Sequence, residues 1–178
     1  MKIYTRRGDD GETALFGSGR VGKDDPRVAA YGEIDELNAW LGVARAGCGH
    51  APVALAIERV QRELFVVGAV LATPDPARRK GEKFVLAADR VAALEAEIDA
   101  WEADLPPLEA FVVPGGGPTG ALLHAARTVC RRAERAIVGL DADDLPETLL
   151  PYVNRLSDWL FVCARWVNRR DGAVESTW

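Results

Sequence analysis

The stretch Leu122–Leu140, LLHAARTVCRRAERAIVGL, decides how the rest of the chain is interpreted. At about 100° per residue, its apolar side chains form one stripe of an amphipathic helix. Another face, built at i, i+4, i+7 and i+8, carries Arg127, Arg131, Glu134 and Arg135, which we call the arginine ridge. Its three guanidiniums suit a polyanion such as a nucleoside triphosphate, and a solvated face laced with i,i+4 ion pairs is the alternative. The apolar stripe consists of Leu122, Ala126, Val129, Ala133 and Ile137.

Length and charge narrow the classes of protein to consider. The 178 residues are enough for one domain, and 48% hydrophobic with 28% charged residues is ordinary for a globular protein. A net charge of −5 argues against general binding to nucleic acids or anionic membranes, so any anion site must be a local cluster of cations. The start, MKIYTRRGDDGE, lacks the apolar core of a signal peptide, and we expect a cytoplasmic protein.

The cysteines and histidines do not predict a metal site. Cys48, Cys130 and Cys163 are widely spaced in apolar helical patterns, which is typical of buried thiols in a reducing compartment. His50 and His124 have no histidine or glutamate three or four residues away. Zinc or di-iron ligation by the protein is therefore not expected.

Residues 1–25, the N-terminal arm, are not helical in pattern. Five glycines punctuate the arm, which also carries hydroxyls at Thr5, Thr13 and Ser18 together with arginines and lysines. Glycines allow backbone N–H groups to turn inward around an anion, and the hydroxyls and cations would complete such a cradle. A flexible tail is the alternative.

Part of the arm resembles a phosphate-binding loop. The segment 17–23, GSGRVGK, matches the first seven positions of the GxxxxGK[ST] motif, but Asp24 stands where the motif needs a hydroxyl for Mg²⁺. The chain downstream shows no alternation of strands and helices. We interpret the match as chance and keep a P-loop NTPase as an alternative.

Five amphipathic segments predict an all-α fold. The first helix begins at Asp25 or Pro26, with an N-cap and a proline at the first helical position. Short loops between the helices indicate a five-helix antiparallel bundle of the ferritin-like up-down type. We expect one domain, 1–178, with the arm at 1–25, the bundle at 26–170 and a C-terminal tail at 171–178. The predicted helices span 25–46, 52–73, 86–105, 119–139 and 147–170, the last with a start that could shift to 148.

Two further segments carry candidate site residues. Phe111 lies in a short apolar segment that ends in the sequence Pro-Gly-Gly-Gly-Pro, where the glycines permit close approach of another group. In the fifth helix, Asn154, Ser157 and Asp158 share a face by their i, i+3, i+4 spacing.

In four ordered blocks, the chain resembles the PduO-type ATP:cob(I)alamin adenosyltransferases over nearly its whole length. Each block is weak alone, and their common order makes the match specific. The blocks are YTRRGDDGET at 4–13, RVGKDD at 20–25 with GEIDELN at 32–38, FVVPGG at 111–116, and ARTVCRRAER at 126–135 with YVNRLSD at 152–158.

The resemblance implies a homotrimer of five-helix bundles with active sites between subunits. It implies that Asp35 pairs with Arg127 across the interface and that Phe111 faces the corrin ring. The family usually has a hydroxyl residue where this chain has Arg7, and Ala14 replaces another, so these two contacts depart from the family pattern. The residues implied to fold over ATP are Thr5, Arg6, Arg7, Gly8, Thr13, Ala14 and Lys23. Those implied to hold the triphosphate and its Mg²⁺ are Arg131, Arg132, Ala133, Glu134, Arg135 and Asn154.

The implied reaction is an alkyl transfer. The cobalt of cob(I)alamin attacks the ribose C5′ of ATP and the whole triphosphate leaves, so the protein supplies positioning and charge neutralisation. Arg131 suits the leaving group, and a bulky Phe111 would displace the lower cobalt ligand and so ease reduction of Co(II). A cob(II)alamin reductase and an adenosylcobalamin-dependent enzyme are the expected partners. A helical nucleotide-binding module without catalysis is a further alternative.

Overall fold

The computed structural model describes residues 2–178 and shows five long helices preceded by a small β-hairpin. Two short 3-10 turns, Pro76–Arg78 and Glu82–Phe84, lie between the second and third helices. The helices are α1 (Pro26–Ala46), α2 (Ala51–Leu71), α3 (Arg90–Glu102), α4 (Pro118–Val138) and α5 (Leu149–Arg170), and the strands are β1 (Glu12–Ala14) and β2 (Arg20–Gly22).

Most helix boundaries agree with the sequence pattern. Asp25 caps α1, because its Oδ1 accepts a hydrogen bond of 2.8 Å from the Arg27 N–H, and Pro26 occupies the first turn. The third helix is shorter than predicted. It begins only at Arg90, after a turn at 88–89 in which the Arg90 N–H donates to the Ala87 carbonyl, and it ends at Glu102. The fifth helix begins at Leu149, two residues after the predicted start.

The helices pack side by side, with α1 between α2 and α4, and α5 between α4 and α3. The Thr119 hydroxyl donates to the Gly47 carbonyl at 3.1 Å, which places the start of α4 beside the end of α1. The two helices are therefore antiparallel, as the up-down prediction requires.

The predicted apolar stripes supply most of the core. In α4, Ala126, Val129, Ala133 and Ile137 are buried, whereas Leu122 is only half-buried. The apolar pattern of the second helix also predicts Leu55 for the core, and this prediction is wrong. Leu55 is 68% exposed, because Val53 and Ile57 occupy the inward positions of that turn.

A cluster of charged side chains at one end of the bundle ties three segments together. The Asp144 carboxylate, in the loop between α4 and α5, accepts from Arg27 Nη2 at 2.7 Å and from Arg79 Nη2. Arg79 also donates to the Asp144 backbone carbonyl. All three side chains are at most one-fifth exposed, so the base of the N-terminal arm is held to both loops at this end.

The N-terminal arm folds as an antiparallel hairpin with Thr13 opposite Val21. It docks through buried Leu15 and through a 2.8 Å hydrogen bond from the Phe16 N–H to the Ala72 carbonyl. Within residues 2–178 this hairpin is the one sheet, so the segment 17–23 does not sit in the parallel sheet of a P-loop fold. The P-loop alternative is wrong.

The burial of the cysteines agrees with their positions in apolar helical patterns. Cys130 and Cys163 are buried, Cys48 is half-buried, and all three are free thiols. Burial raises the pKa of Cys130 to about 12, which makes the thiol unreactive at neutral pH. Of the helices described, none combines the length and apolar character needed to cross a bilayer.

Candidate active site

The arginine ridge of α4 borders a cleft between α3, α4 and α5 with a volume of about 430 Å³. Arg127 and Arg131 line one wall, and Ser157 and Asp158 line the wall contributed by α5. The cleft is lined largely by charged side chains, in which three guanidiniums and four carboxylates face one space: Arg127, Arg131 and Arg155, with Glu95, Asp99, Glu102 and Asp158.

Arg127 is a partly desolvated cation in this cleft. It is half-buried, and among the residues described its Nε is a buried donor without a hydrogen-bond acceptor. Burial, together with the positive charge of Arg131, lowers the pKa of Arg127 below the usual value for arginine. An anion from outside this chain would relieve both effects.

The next turn of the ridge meets α5 through Glu134. Its Oε1 accepts a hydrogen bond of 2.7 Å from the Asn154 Nδ2, so these two predicted site residues lie together. Within the described chain, the ion pairs of α4 use Arg132 and leave exposed Arg131 and Arg135 without a carboxylate. Arg131 and Arg135 are therefore available to a phosphate.

Two predicted residues of this group do not face the cleft. Arg132 points toward α1, where its Nε lies 2.6 Å from Glu33 Oε2 and its Nη2 contacts Glu36. Ala133 is completely buried in the core, so its side chain cannot touch a ligand in the cleft. The reason is rotation, because each step along a helix turns the side chain by about 100°.

Phe111 lies in a second, more apolar cavity of about 660 Å³. Its side chain is 77% exposed, and its ring lies 6.4 Å from the ring of Trp178, centroid to centroid. Leu108 and Phe161 complete the apolar lining. A large exposed aromatic surface of this kind is typical of a binding site.

The polar cleft and the apolar cavity adjoin each other. Arg127, Leu108 and Phe161 line both spaces. A ligand in the cleft and a ligand in the cavity would consequently be neighbours, with Arg127 between them. The geometry thus offers adjacent places for an anionic group and for a broad apolar ring.

Asp35 lies apart from these residues. It borders a groove between α1 and α2 that is also lined by Tyr31 and Phe65, and its carboxylate is exposed. Arg127 faces the cleft between α3, α4 and α5 instead. The two do not pair within one chain, so the implied Asp35–Arg127 pair requires a second subunit.

The N-terminal arm brings its predicted ATP-binding residues together. Lys23 Nζ donates to the Gly8 carbonyl at 2.8 Å, and the Arg7 N–H donates to the Thr5 hydroxyl at 3.4 Å. Arg6 has a φ of 60°, a conformation that is unfavourable for a residue with a side chain and often marks a functional site. The loop 5–8 is therefore folded back over Lys23.

The hairpin supports this loop from the other side. Thr13 and Ala14 belong to β1, and Arg20 of β2 donates to the Arg7 carbonyl at 2.7 Å and to Asp10 at 2.6 Å. Arg7 and Ala14, the two departures from the family pattern, are both exposed. They leave the backbone of the cradle intact.

The arm and the arginine ridge are not joined within one chain. The hydrogen bonds described for residues 5–23 stay inside the arm or reach Ala72, and none goes to α4. Both nevertheless occur toward the same end of the bundle, since α4 runs antiparallel to α1 and ends near the base of the arm. The contacts described for one chain therefore do not bring the arm onto the ridge.

The sequence did not single out the C-terminal tail or His124. The tail lies against the Phe111 segment, where the Trp178 N–H donates to the Phe111 carbonyl at 2.9 Å. His124 is buried on α4, both of its ring nitrogens lack a partner among the residues described, and burial lowers its pKa. The position of His124 one turn before Arg127 could have drawn attention to it. The pairing of the tail with the Phe111 segment leaves no mark in the composition of the tail.

The structure offers no preformed cage for a metal ion. In the part of the chain described, no group of three or more His, Cys, Asp or Glu side chains converges. A magnesium ion that enters with ATP is usually held by phosphate oxygens and one or two protein groups. Glu134 is the carboxylate of the ridge, and its Oε1 accepts from Asn154 Nδ2.

Comparisons with known proteins give one consistent result. A family model described as cobalamin adenosyltransferase matches residues 3–167. The corrinoid adenosyltransferase of Bacillus subtilis is 45% identical over 177 residues, which cover 97% of this chain and 89% of that protein. That of Mycobacterium tuberculosis H37Rv is 46% identical over 178 residues, covering 97% and 91%.

Solved structures agree with the sequence comparisons. A variant PduO-type ATP:corrinoid adenosyltransferase from Lactobacillus reuteri, complexed with cobalamin and ATP, superposes with a TM-score of 0.92 at 37% identity over 99% of both chains. Another variant of that enzyme, complexed with ATP, gives a TM-score of 0.91 at the same identity and coverage. By fold and by sequence, the chain belongs to the cobalamin adenosyltransferase family.

Proposed function

We propose that this protein transfers the 5′-deoxyadenosyl group of ATP to the cobalt of a reduced corrinoid, giving an adenosylcorrinoid and triphosphate. The observation that carries the proposal is the shared wall of the two cavities, formed by Arg127, Leu108 and Phe161. A reaction between a polyanionic nucleotide and a broad apolar macrocycle needs adjacent places of these two kinds. The family membership of the chain supports the same activity.

The reaction needs charge stabilisation more than proton transfer. The electron pair of Co(I) forms the new bond to C5′ while the C5′–O bond breaks, and its electron pair leaves with the triphosphate. The negative charge on the leaving group rises in the transition state, where fixed cations are most effective. Arg131 and Arg135, exposed and without carboxylate partners in residues 2–178, are suited to this role together with Lys23 and Mg²⁺.

The active form is proposed to be a homotrimer with each site between two subunits. Support comes from Arg127, which is half-buried next to Arg131 and lacks an anion within the described chain. Asp35 presents an exposed carboxylate on a different face of the same chain. Pairing these two residues across an interface would neutralise the buried charge and would bring one arm toward the neighbouring ridge.

Phe111 is proposed to face the corrin on its lower side. Its exposed ring carries no donor atom, so it can displace the lower axial ligand without replacing it. A four-coordinate Co(II) is easier to reduce than a ligated one, and a cob(II)alamin reductase would supply the electron. We further propose a cytoplasmic location, which the three free thiols support. The product would be delivered to an adenosylcobalamin-dependent enzyme.

Product analysis tests the proposal. The protein is incubated with ATP, Mg²⁺ and chemically reduced cobalamin, and we expect a photolabile cobalt–carbon product together with triphosphate. Arg131→Ala should lower the rate by about 10²–10³, the usual cost of removing one group that stabilises transition-state charge. Arg62→Ala is the matched control, because Arg62 is a 78% exposed arginine on α2, away from the ridge.

Two outcomes would contradict the proposal. Release of ADP and phosphate would indicate phosphoryl transfer, which uses a different bond of ATP. Binding of ATP with no product from reduced cobalamin would indicate a nucleotide-binding module without catalysis.

A further inference from the structure

The segment that carries Phe111 is held in place by the C-terminal tail. The Val113 N–H donates to the Ser176 carbonyl at 2.8 Å, and the Trp178 N–H donates to the Phe111 carbonyl at 2.9 Å. Val112 and Thr177 form a bridge between these bonds. The Phe111 backbone therefore depends on a partner strand only a few residues long.

Most of the tail has little packing of its own. Val174 is 85% exposed and Trp178 is 89% exposed. Glu175 is more enclosed, since its side chain is only 20% exposed and its Oε2 lies 3.1 Å from Arg165 Nε. Arg165 belongs to α5 and has a side chain that is 5% exposed. This ion pair is the buried anchor of the tail.

The same guanidinium also holds the chain before Phe111. Arg165 Nη2 donates to the Pro106 carbonyl at 3.2 Å. Asn168, one turn later on α5, donates to the Gly115 carbonyl and accepts from the Gly117 N–H. A Cβ at Gly116, where φ is +99°, would overlap Asn168, so only glycine fits there. The last turns of α5 thus fix the segment at both ends, and the tail fixes its middle.

We propose that Glu175 is a positioning residue for the corrin reaction, which holds the tail on Arg165 and thereby keeps Phe111 where it displaces the lower cobalt ligand. The proposal rests on the proposed function of Phe111. Loss of the Glu175 carboxylate leaves Arg165 buried without its anion and removes the buried anchor of the tail. The effect on the reaction passes through Phe111, because Glu175 itself does not line the apolar cavity.

The test compares Glu175→Ala with Val174→Ala, a neighbouring substitution on the exposed side of the tail, and with Glu175→Gln, which keeps an acceptor but not the charge. Release of the tail is measured without corrinoid, as the rate at which carboxypeptidase removes Trp178. The position of Phe111 is measured as the fraction of enzyme-bound cob(II)alamin that is four-coordinate in the presence of ATP, by electron paramagnetic resonance. Adenosyl transfer from chemically reduced cobalamin is measured alongside.

For Glu175→Ala we expect carboxypeptidase to remove Trp178 faster. We also expect the four-coordinate fraction of bound cob(II)alamin to fall about tenfold, which corresponds to the low end of the free energy of one hydrogen bond to a charged group. Transfer from chemically supplied Co(I) should change little, Glu175→Gln should fall between, and Val174→Ala should match the wild type. A released tail with an unchanged four-coordinate fraction would overturn the proposal, as would a tail that is not released. Failure of the wild type to adenosylate chemically reduced cobalamin would instead overturn the proposed function.

Discussion

Replacement of Asp144 should both destabilise the bundle and loosen the base of the N-terminal arm. Its carboxylate accepts hydrogen bonds from Arg27 and Arg79, and all three side chains are at most one-fifth exposed. A hydrogen bond to a charged group contributes about 1.5–3 kcal/mol, and removal of one member of a buried ion pair costs about 3–5 kcal/mol. The Arg79 bond to the Asp144 backbone carbonyl survives the substitution. We therefore expect Asp144→Ala to lower the free energy of unfolding by about 3 kcal/mol.

The assay is urea unfolding followed by tryptophan fluorescence at one fixed protein concentration, since the apparent stability of an oligomer depends on concentration. For a chain of this length, 3 kcal/mol corresponds to a drop in Tm of about 6–12 °C. Asp143→Ala is the matched control, because Asp143 is an exposed carboxylate in the same loop. A loss below about 1 kcal/mol, the range of exposed ion pairs, would refute the claim that this cluster is a structural anchor.

The pH dependence of stability gives a second check on Asp144. Burial raises the pKa of its carboxyl, but the hydrogen bonds from Arg27 and Arg79 lower it further, so the folded-state pKa lies below the ordinary 3.8. The stability that this carboxylate contributes is complete above the unfolded-state pKa and is lost as the pH falls through the folded-state pKa. The difference in free energy of unfolding between the wild type and Asp144→Ala should therefore become smaller only in strong acid.

Three further predictions concern the site. Phe111→Ala should keep most activity with chemically supplied Co(I) but lose it when Co(II) must be reduced on the enzyme, and equal losses in both assays would remove its proposed role. Asp35→Asn should weaken assembly or ATP binding, measured by analytical ultracentrifugation and calorimetry, and an unchanged trimer with full affinity would refute its pairing with Arg127. Burial lowers the pKa of His124, so stability should fall as the pH drops below the unfolded-state value of 6.5, and His124→Leu should abolish that slope in urea titrations.

The helices were predictable because each carries its own local signals. The stripe of α4 repeats every three to four residues, and Asp25 with Pro26 marks the start of α1. The third helix was predicted too long because residues 86–89 are compatible with a helix by propensity. In the structure they form a loop and a turn that connect the 3-10 helix ending at Phe84 to the start of α3 at Arg90.

The site residues show which contacts the sequence could predict and which it could not. The spacing of Arg127 and Arg131 placed both on one face, and the structure confirms that they line one cleft. Arg132 follows directly but is turned toward Glu33 and Glu36, which cannot be known before α1 is known to pack on α4. Long-range contacts of this kind depend on tertiary packing, which leaves no local pattern.

The tail illustrates the same limit for the apolar cavity. Phe111 stood out because a bulky apolar residue precedes a run of glycines, whereas Trp178 and Glu175 are isolated residues near the end of the chain. Trp178 pairs with the Phe111 segment, which lies tens of residues earlier in the chain. Glu175 pairs with Arg165, which lies near the end of α5. Only the folded chain brings them together.

The central claim is that the arm of one subunit closes on the arginine ridge of another around the triphosphate of ATP. The most direct measurement mixes two inactive variants, Lys23→Ala in the arm and Arg131→Ala in the ridge, under conditions where subunits exchange. Random trimers should then regain about a quarter of wild-type adenosyltransferase activity, because about one site in four combines an intact arm with an intact ridge. Activity that stays at the level of the separate variants would contradict the account, since it would place both elements of the site within one chain.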